Sequence, residues 1–161
     1  MERPDFASLE EAFAYCRDMD ASLGERLQTF AQASRILRPQ AQEAVDRMVE
    51  RLRAHEAGAT APAPGDVMPS FMLPDESGQF TRLDELLADG PVAITFHRGH
   101  WCPYCRINTK VLSEVQEHIA AVGASIVAIT PERESFGTRL KEDAGLRYPV
   151  LSDVYNGYAL S

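Results

Sequence analysis

Cysteine is scarce in this sequence. Cys102 and Cys105 form a CxxC pair and Cys16 lies far from both, which is too few for the disulfide framework of a small secreted protein. Basic residues are also few: 16 against 24 acidic ones leave a net charge of −8, which disfavours binding to a nucleic-acid phosphate backbone. The sequence contains neither a run of eighteen apolar residues nor a secretory signal pattern, so we expect no membrane contact. These absences predict a cytoplasmic protein with a reactive dithiol.

The stretch from Ser8 to about residue 57 has a helical pattern. Ser8 followed by Glu11 predicts a capping box, and Cys16 recurs at helical spacing as a small buried hydrophobe. Gly24 and Pro39 punctuate the stretch, which gives about three helices. The last helix carries an apolar stripe that needs burial, and packing on a second copy and packing on the following domain are equally open: Val45, Met48, Val49 and Leu52.

Residues 57–69, AGATAPAPGDVMP, are small and proline-rich, which predicts a linker that favours the extended polyproline conformation. We therefore expect two parts. Residues 1–64 form a helical N-terminal extension with the linker, and residues 65–161 form a second domain.

Beyond the linker the pattern changes to strands. Phe71–Leu73 and Phe80–Arg82 flank the turn PDESGQ, which predicts a β-hairpin, and a short helix Leu83–Leu87 follows.

Two nearly continuous apolar runs, Pro91–His97 and Ser125–Thr130, predict strands that are covered on both faces. The order of elements is strand, helix, strand, helix, strand, which predicts a parallel α/β core with right-handed crossovers. The remaining predicted elements of this core are the helices Pro103–Val122 and Glu132–Ala144 and the strand Tyr148–Leu151.

The segment WCPYC lies between a predicted strand and a predicted helix, at the sheet edge where open α/β folds carry their sites. Proline is preferred at the first helical position, so Pro103 places Cys102 at or near the N-cap with its sulfur facing free backbone N–H groups. The helix dipole stabilises a thiolate there and can lower the thiol pKa by several units from about 8.5. Cys102 is thus a candidate nucleophile at neutral pH.

Cys105 lies one turn away, close enough to form a disulfide with Cys102 or to resolve a sulfenic acid on it. Arg98 and Arg106 flank the pair and add positive potential. Trp101 is expected to pack on the sheet edge as an apolar lid over one sulfur.

A zinc site is the alternative for this segment, with His97 and His100 joining the two cysteines. All four candidates fall within nine residues on one turn, whereas structural zinc sites usually draw ligand pairs from separate segments. We therefore expect no metal and two ordinary histidines. Acidic residues at helical spacings are expected to lie on solvated faces: Glu114, Glu117, Glu132, Glu134, Glu142 and Asp143.

The motif WCPYC resembles the WCxxC of thioredoxins and the CPYC of glutaredoxins. Its surroundings look like the peroxiredoxin (AhpC/TSA, redoxin) family: DVMPSFMLPDESGQFTRLDELLADGPVAITFHRG resembles the opening of that family, and SIVAITPERES, LKEDAGLRYPVLSD and Tyr155 to Leu160 resemble its second half. The likeness covers about residues 65–161. It implies an α/β fold of the thioredoxin-like class, with the helical extension added at the N-terminus.

The resemblance leaves the attacking sulfur open. If the TxxC of peroxiredoxins is laid on CPYC, the peroxidatic cysteine is Cys105, whereas the thioredoxin alignment makes it Cys102. We favour Cys102 for disulfide exchange as the more exposed and better capped sulfur, and Cys105 stays open as the peroxide-reacting one. The family pattern PxxxTxxC is broken at both the Pro and the Thr, where this sequence has Arg98 and Cys102.

The family continues, beyond the point matched by Ser161, into a β-hairpin and a final helix, which bring a cis-proline loop and a peroxide-binding arginine. We therefore expect a C-terminally truncated thioredoxin-like fold with an open strand edge. We also expect weak activity unless a second copy covers that edge as a homodimer.

The resemblance implies a thiol-dependent peroxidase that reduces hydroperoxides through Cys102 and Cys105. Trp101, Pro103, Tyr104, Arg98 and Arg106 would support the pair, and a thiol reductant such as a thioredoxin or glutathione system would restore it. No cofactor, metal or nucleic acid is implied. Two alternatives stay open: a general thiol-disulfide oxidoreductase, and a non-catalytic redoxin-like module that binds zinc or a partner.

Overall fold

The computed structural model describes residues 5–160, which divide into two compact units, one ending at Met68 and one beginning at Pro69. The division falls inside the proline-rich segment. Within the described residues, no helix has the length and apolarity needed to cross a bilayer.

The first unit consists of three helices, as the sequence predicts: α1 (Leu9–Asp18), α2 (Leu23–Leu37) and α3 (Pro39–Ala54). The Oγ of Ser8 caps α1 by accepting the N–H of Glu11 at 3.1 Å. The carboxylate of Glu11 reaches the N–H of Ala7, one residue before the one that a capping box requires. The expectation that Gly24 separates two helices is wrong. The break lies at Ser22, which forms a complete capping box with Glu25, and Gly24 sits in the first turn of α2.

Cys16 is fully buried, as predicted, and burial raises the pKa of its thiol. No residue of α3 is buried within the single chain, so the burial of its apolar stripe against a second copy stays a prediction. Val45, Met48 and Leu52 are between 41% and 49% exposed.

The proline-rich segment does not adopt the expected extended conformation. The N–H groups of Ala59, Ala61 and Asp66 each bond to the carbonyl three residues earlier, which produces successive turns. Gly58 and Gly65 have φ of +90° and +100°, values that favour glycine and allow the chain to turn.

The second unit begins with the predicted hairpin, formed by β1 (Met72–Pro74) and β2 (Phe80–Arg82), with Leu73 opposite Thr81. The carboxylate of Asp75 accepts the N–H groups of Ser77 and Gln79 and so closes the turn. A short helix α4 (Leu83–Asp89) follows.

The predicted parallel α/β core is confirmed. Its strands lie in the order β3, β4, β5, with Ile94 paired to Val127 and Ile129 paired to Leu151. The bounds are β3 (Val92–Phe96), α5 (Pro103–Ala121), β4 (Ser125–Thr130), α6 (Glu134–Ala144) and β5 (Val150–Ser152). A 3₁₀ helix, Val154–Asn156, follows β5.

Burial differs between the strands. Every residue of β4 after Ser125 is buried, as predicted for a strand covered on both faces. The same prediction is wrong for β3, where Ala93 and Phe96 are exposed. Tyr158 stacks on Phe96 with ring centroids 6.2 Å apart, and its hydroxyl donates to the carbonyl of Pro69 at 2.8 Å. The end of the described chain is thereby attached to the start of the unit.

Candidate active site

The CxxC pair lies at the junction between β3 and α5. Pro103 is the first residue of α5 and Cys102 is its N-cap, as the sequence predicts. The sulfur of Cys102 accepts the N–H of Cys105 at 3.4 Å, which is the bond that an N-cap side chain makes. The two cysteines are free thiols, one helical turn apart.

Arg98 contacts both sulfurs through two different groups. Its backbone N–H donates to Sγ of Cys105 at 3.3 Å, and its Nη2 donates to Sγ of Cys102 at 3.1 Å. The guanidinium carbon lies 5.3 Å from the centre of the Trp101 ring, within the range of a cation–π interaction. A fixed positive charge is therefore in direct contact with the sulfur of Cys102.

The two thiols have opposite pKa shifts. A hydrogen bond donated by the thiol of Cys105, the backbone N–H of Cys105 and the Arg98 guanidinium outweigh burial and lower the pKa of Cys102 to about 5. The same hydrogen bond, with burial, raises the pKa of Cys105 above its ordinary value. At neutral pH the pair therefore holds one thiolate and one thiol.

The expectation that Cys102 is the more exposed sulfur is wrong. Cys102 has no exposed surface and Cys105 is 9% exposed, because the Cys102 sulfur faces the start of α5 and the Arg98 guanidinium rather than solvent. The expected apolar lid is also not observed. Trp101 is 65% exposed, with Arg98 over one face of its ring, and Tyr104 is half-buried.

Arg106, expected to add positive potential at the sulfurs, directs its guanidinium to α6. Its Nη2 donates to Oδ2 of Asp143 at 3.0 Å, and Nε2 of His100 lies 2.8 Å from the same oxygen. The hydrogen bond from His100, followed by the charge of Arg106, lowers the pKa of Asp143. The carboxylate of Glu132 accepts the backbone N–H of His100 at 2.5 Å.

Glu132 departs from the expected solvated helix face, because it is half-buried and its carboxylate bonds to the loop that carries the dithiol. Asp143 is exposed as expected, and its carboxylate also contacts this region through His100 and Arg106. A signal for Glu132 was available in the sequence. It follows the end of β4 by two residues, and the carboxyl ends of neighbouring parallel strands share one edge of a sheet. For Asp143, ten residues into the α6 segment, no comparable signal exists.

The two histidines do not join the cysteines as ligands. His97 is 4% exposed and its Nε2 lies 3.0 Å from the hydroxyl oxygen of Thr95, while burial lowers its pKa to about 4 and keeps the ring neutral. Across residues 5–160, no three His, Cys, Asp or Glu side chains converge as metal ligands would.

An open cleft of about 400 Å³ lies beside the motif. Arg98 and Trp101 form the wall nearest the dithiol. The rest of the lining combines apolar and polar side chains, among them Phe96, Ile129, Pro131, Thr130, Asp153 and Asn156.

Comparisons with known proteins agree with this architecture. Residues 64–160 match the model of the AhpC/TSA family. A Mycobacterium tuberculosis protein that carries the name peroxiredoxin is 34% identical over 89 residues, which are 55% of this chain and 58% of that protein. Peroxiredoxin Bcp of Escherichia coli K12 is 25% identical over 89 residues, 55% of this chain and 56% of the relative. The chain thus spans less than three fifths of the length of these relatives.

Among solved structures, Peroxidoxin BcpB from Mycobacterium tuberculosis superposes with a TM-score of 0.57 at 32% identity, covering 60% of this chain and 62% of that one. A DsbE-type thiol:disulfide interchange protein from Chlorobium tepidum superposes with a TM-score of 0.53 at 22% identity, covering 60% of this chain and 67% of that one. The second likeness concerns the fold alone, and both support the thioredoxin-like class inferred from the sequence.

Proposed function

The chain belongs to the AhpC/TSA family, and from this we propose that it is a thiol-dependent peroxidase that reduces hydroperoxides with the dithiol of Cys102 and Cys105. One observation carries the proposal. The sulfur with the lowered pKa and the sulfur with the raised pKa are hydrogen-bonded to each other at the start of α5. This is the pairing of nucleophile and resolving thiol that a two-cysteine peroxidase needs.

In the proposed reaction the thiolate sulfur of Cys102 attacks the terminal oxygen of a hydroperoxide ROOH. The O–O bond breaks, the sulfur is oxidised to a sulfenic acid, and RO⁻ leaves and takes a proton to become an alcohol, or water when the substrate is hydrogen peroxide. The thiol of Cys105 then attacks the sulfenic sulfur, which forms the disulfide and releases water. An external thiol reductant, such as a thioredoxin or glutathione system, then attacks the disulfide at the sulfur of Cys105, which keeps some exposed surface. The Cys102 thiolate leaves, and a second thiol of the reductant resolves the mixed disulfide and completes the cycle.

The burial of Cys102 favours a small oxidant over a protein disulfide. A peroxide needs only a narrow opening to reach a sulfur with no exposed surface, whereas disulfide exchange needs a second sulfur in line with it. We further propose that the reaction takes place in the cytoplasm, where thiol reductants keep dithiols reduced.

The test is mass spectrometry of the chain after treatment with hydrogen peroxide, together with peroxide consumption in the presence of a thiol reductant. The wild type should form a Cys102–Cys105 disulfide, and C105S should accumulate a sulfenic acid on Cys102. The control is C16S, which removes the buried thiol of the first unit and should behave as the wild type. A wild-type chain that consumes no peroxide would rule out the proposal. A sulfenic acid that forms on Cys105 in C102S, but not on Cys102 in C105S, would do the same.

A further inference from the structure

Arg98 forms hydrogen bonds to both sulfurs of the dithiol. Its side chain donates to Sγ of Cys102 and its backbone donates to Sγ of Cys105, so one residue touches both reacting atoms. The sulfur of Cys105 accepts the N–H of Arg98 through a lone pair, so its own S–H can still donate to Cys102. The second arginine of the loop region, Arg106, is bonded to Asp143 instead.

Arg98 also connects the buried sulfur with the outside. Cys102 has no exposed surface, whereas Arg98 is exposed and lines the 400 Å³ cleft together with Trp101. Arg98 is part of the cleft lining and neither cysteine is, so a hydroperoxide bound in the cleft lies against Arg98. A guanidinium carries five N–H donors, and the contact of Nη2 with Cys102 leaves donors for the oxygens of the peroxide.

Trp101 holds the guanidinium in this position. The guanidinium carbon lies over the indole, 5.3 Å from the ring centre, while Nη2 donates to the sulfur of Cys102. A donor group fixed in this way needs no reorganisation when charge develops next to it.

We propose that Arg98 is a catalytic residue of the peroxidase reaction, which holds the attacking sulfur of Cys102 and then stabilises the negative charge on the departing oxygen. The inference rests on the proposed function. As the S–O bond forms and the O–O bond breaks, the electron pair and the charge move from sulfur to the leaving RO⁻, which ends as ROH after protonation by solvent. The guanidinium contacts the anion at the start of the step and at its end, so its contribution grows as charge reaches the oxygen.

The test compares wild type, R98M and R98K in single-turnover oxidation by hydrogen peroxide and by tert-butyl hydroperoxide. The only tryptophan of the sequence, Trp101, is a fluorescent reporter next to the reacting sulfur. We expect R98M to lower the second-order rate constant at pH 7 by about 10²–10³, the usual effect of removing one oxyanion donor. R98K, which keeps the charge without the planar fork, should recover part of that loss.

The pH dependence separates catalysis from thiol ionisation. Each variant is alkylated with iodoacetamide across pH to measure the thiolate fraction, and oxidation is then compared at a pH where Cys102 is fully ionised in all of them. A catalytic Arg98 leaves a deficit in R98M under those conditions. A deficit that disappears there would show that Arg98 only ionises Cys102, and would overturn the inference.

The matched control is R133Q, which removes an equal charge from an exposed arginine at the N-cap of α6, and it should leave the rate constant within about twofold of wild type. Far-ultraviolet circular dichroism verifies that each variant folds. Normal oxidation of R98M would overturn this inference and leave the proposed function standing. A wild-type chain that no peroxide oxidises would overturn both.

Discussion

The carboxylate of Glu132 accepts the backbone N–H of His100 at 2.5 Å, and this bond joins the loop after β4 to the loop that carries the dithiol. Gly99 makes the contact possible. A Cβ at this position would lie 2.5 to 2.8 Å from the carboxylate atoms of Glu132, and the φ of Gly99 is +137°, a conformation that side chains disfavour. The approach of a bare backbone to a carboxylate therefore fixes the loop in which Cys102 and Arg98 lie.

The first prediction concerns this approach. In G99A the new methyl group displaces the carboxylate of Glu132, and the His100 N–H loses its charged acceptor while the backbone is strained at positive φ. Together these effects should lower the free energy of unfolding by about 2–4 kcal/mol, measured by urea denaturation under reducing conditions.

G123A is the control, because Gly123 has a φ of +75° but open space where its Cβ would lie. The free energy of unfolding of G123A should fall by only about 1 kcal/mol, the cost of the backbone strain alone. Equal losses in G99A and G123A would mean that the contact with Glu132 contributes nothing.

The second prediction follows from the lowered pKa of Cys102. Between pH 5 and pH 9 the folded chain carries the thiolate while the unfolded chain carries the thiol, whose ordinary pKa is 9.0. The unfolded state therefore binds more protons in this range, and stability should rise with pH by up to about 1.4 kcal/mol per unit. The stabilisation is complete above pH 9 and is lost as the pH falls to about 5. The measurement is urea denaturation of the wild type and C102S at a series of pH values, with the difference between the two curves taken at each pH.

That difference should rise from pH 5 to pH 9 and then fall, because the hydrogen bond with the Cys102 thiolate raises the pKa of Cys105 in the folded wild type and is lost in C102S, while Cys105 ionises in both unfolded chains. C16S serves as the control. The pKa of Cys16 is raised by burial, so its removal should leave the slope between pH 5 and pH 9 unchanged. A flat difference curve for C102S would contradict the assignment of the thiolate.

Local signals in the sequence predicted most of the elements that position the site. The strand Ser125–Thr130 was predicted to the residue because a run of six apolar or hydroxyl residues, four of them β-favouring, lies between turn signals. Pro103 marked the start of α5, since its fixed φ suits the first helical position. Gly24 misled because glycine is tolerated in the first turn of a helix, where the capping box of Ser22 and Glu25 outweighs its low propensity.

Local sequence signals did not predict the contacts around the two sulfurs. Arg98 and Arg106 each stand four residues from Cys102 in the sequence, yet Arg98 bonds to Cys102 and Arg106 bonds to Asp143. Arg98 follows a strand and Arg106 lies in the first turn of α5, so their side chains leave the backbone in different directions. The partners Glu132 and Asp143 lie 32 and 37 residues from the residues they bind, a separation that helical and strand periodicity do not address.

The last prediction concerns Tyr148, which lies 6% exposed in the apolar cluster with Ile126, Leu140 and Val150. Its hydroxyl is buried and finds no hydrogen-bond partner among the described residues, and burial raises the pKa of the phenol. An unsatisfied buried hydroxyl costs about 1–3 kcal/mol, so removing it should help the folded state.

Y148F should therefore keep or raise the free energy of unfolding, by about 1 kcal/mol, whereas Y148A should lower it by about 3–5 kcal/mol because it leaves a cavity in the cluster. Urea denaturation of both variants measures the change. Because Y148F keeps the ring, a loss of more than about 1 kcal/mol in that variant would mean that the hydroxyl donates to a group in the folded chain. An increase in the free energy of unfolding of Y148F would show that the Tyr148 hydroxyl destabilises the core that supports β4 and β5, away from the dithiol. Peroxide oxidation of Y148F should then match the wild type, which separates the stability of this core from the chemistry at its edge.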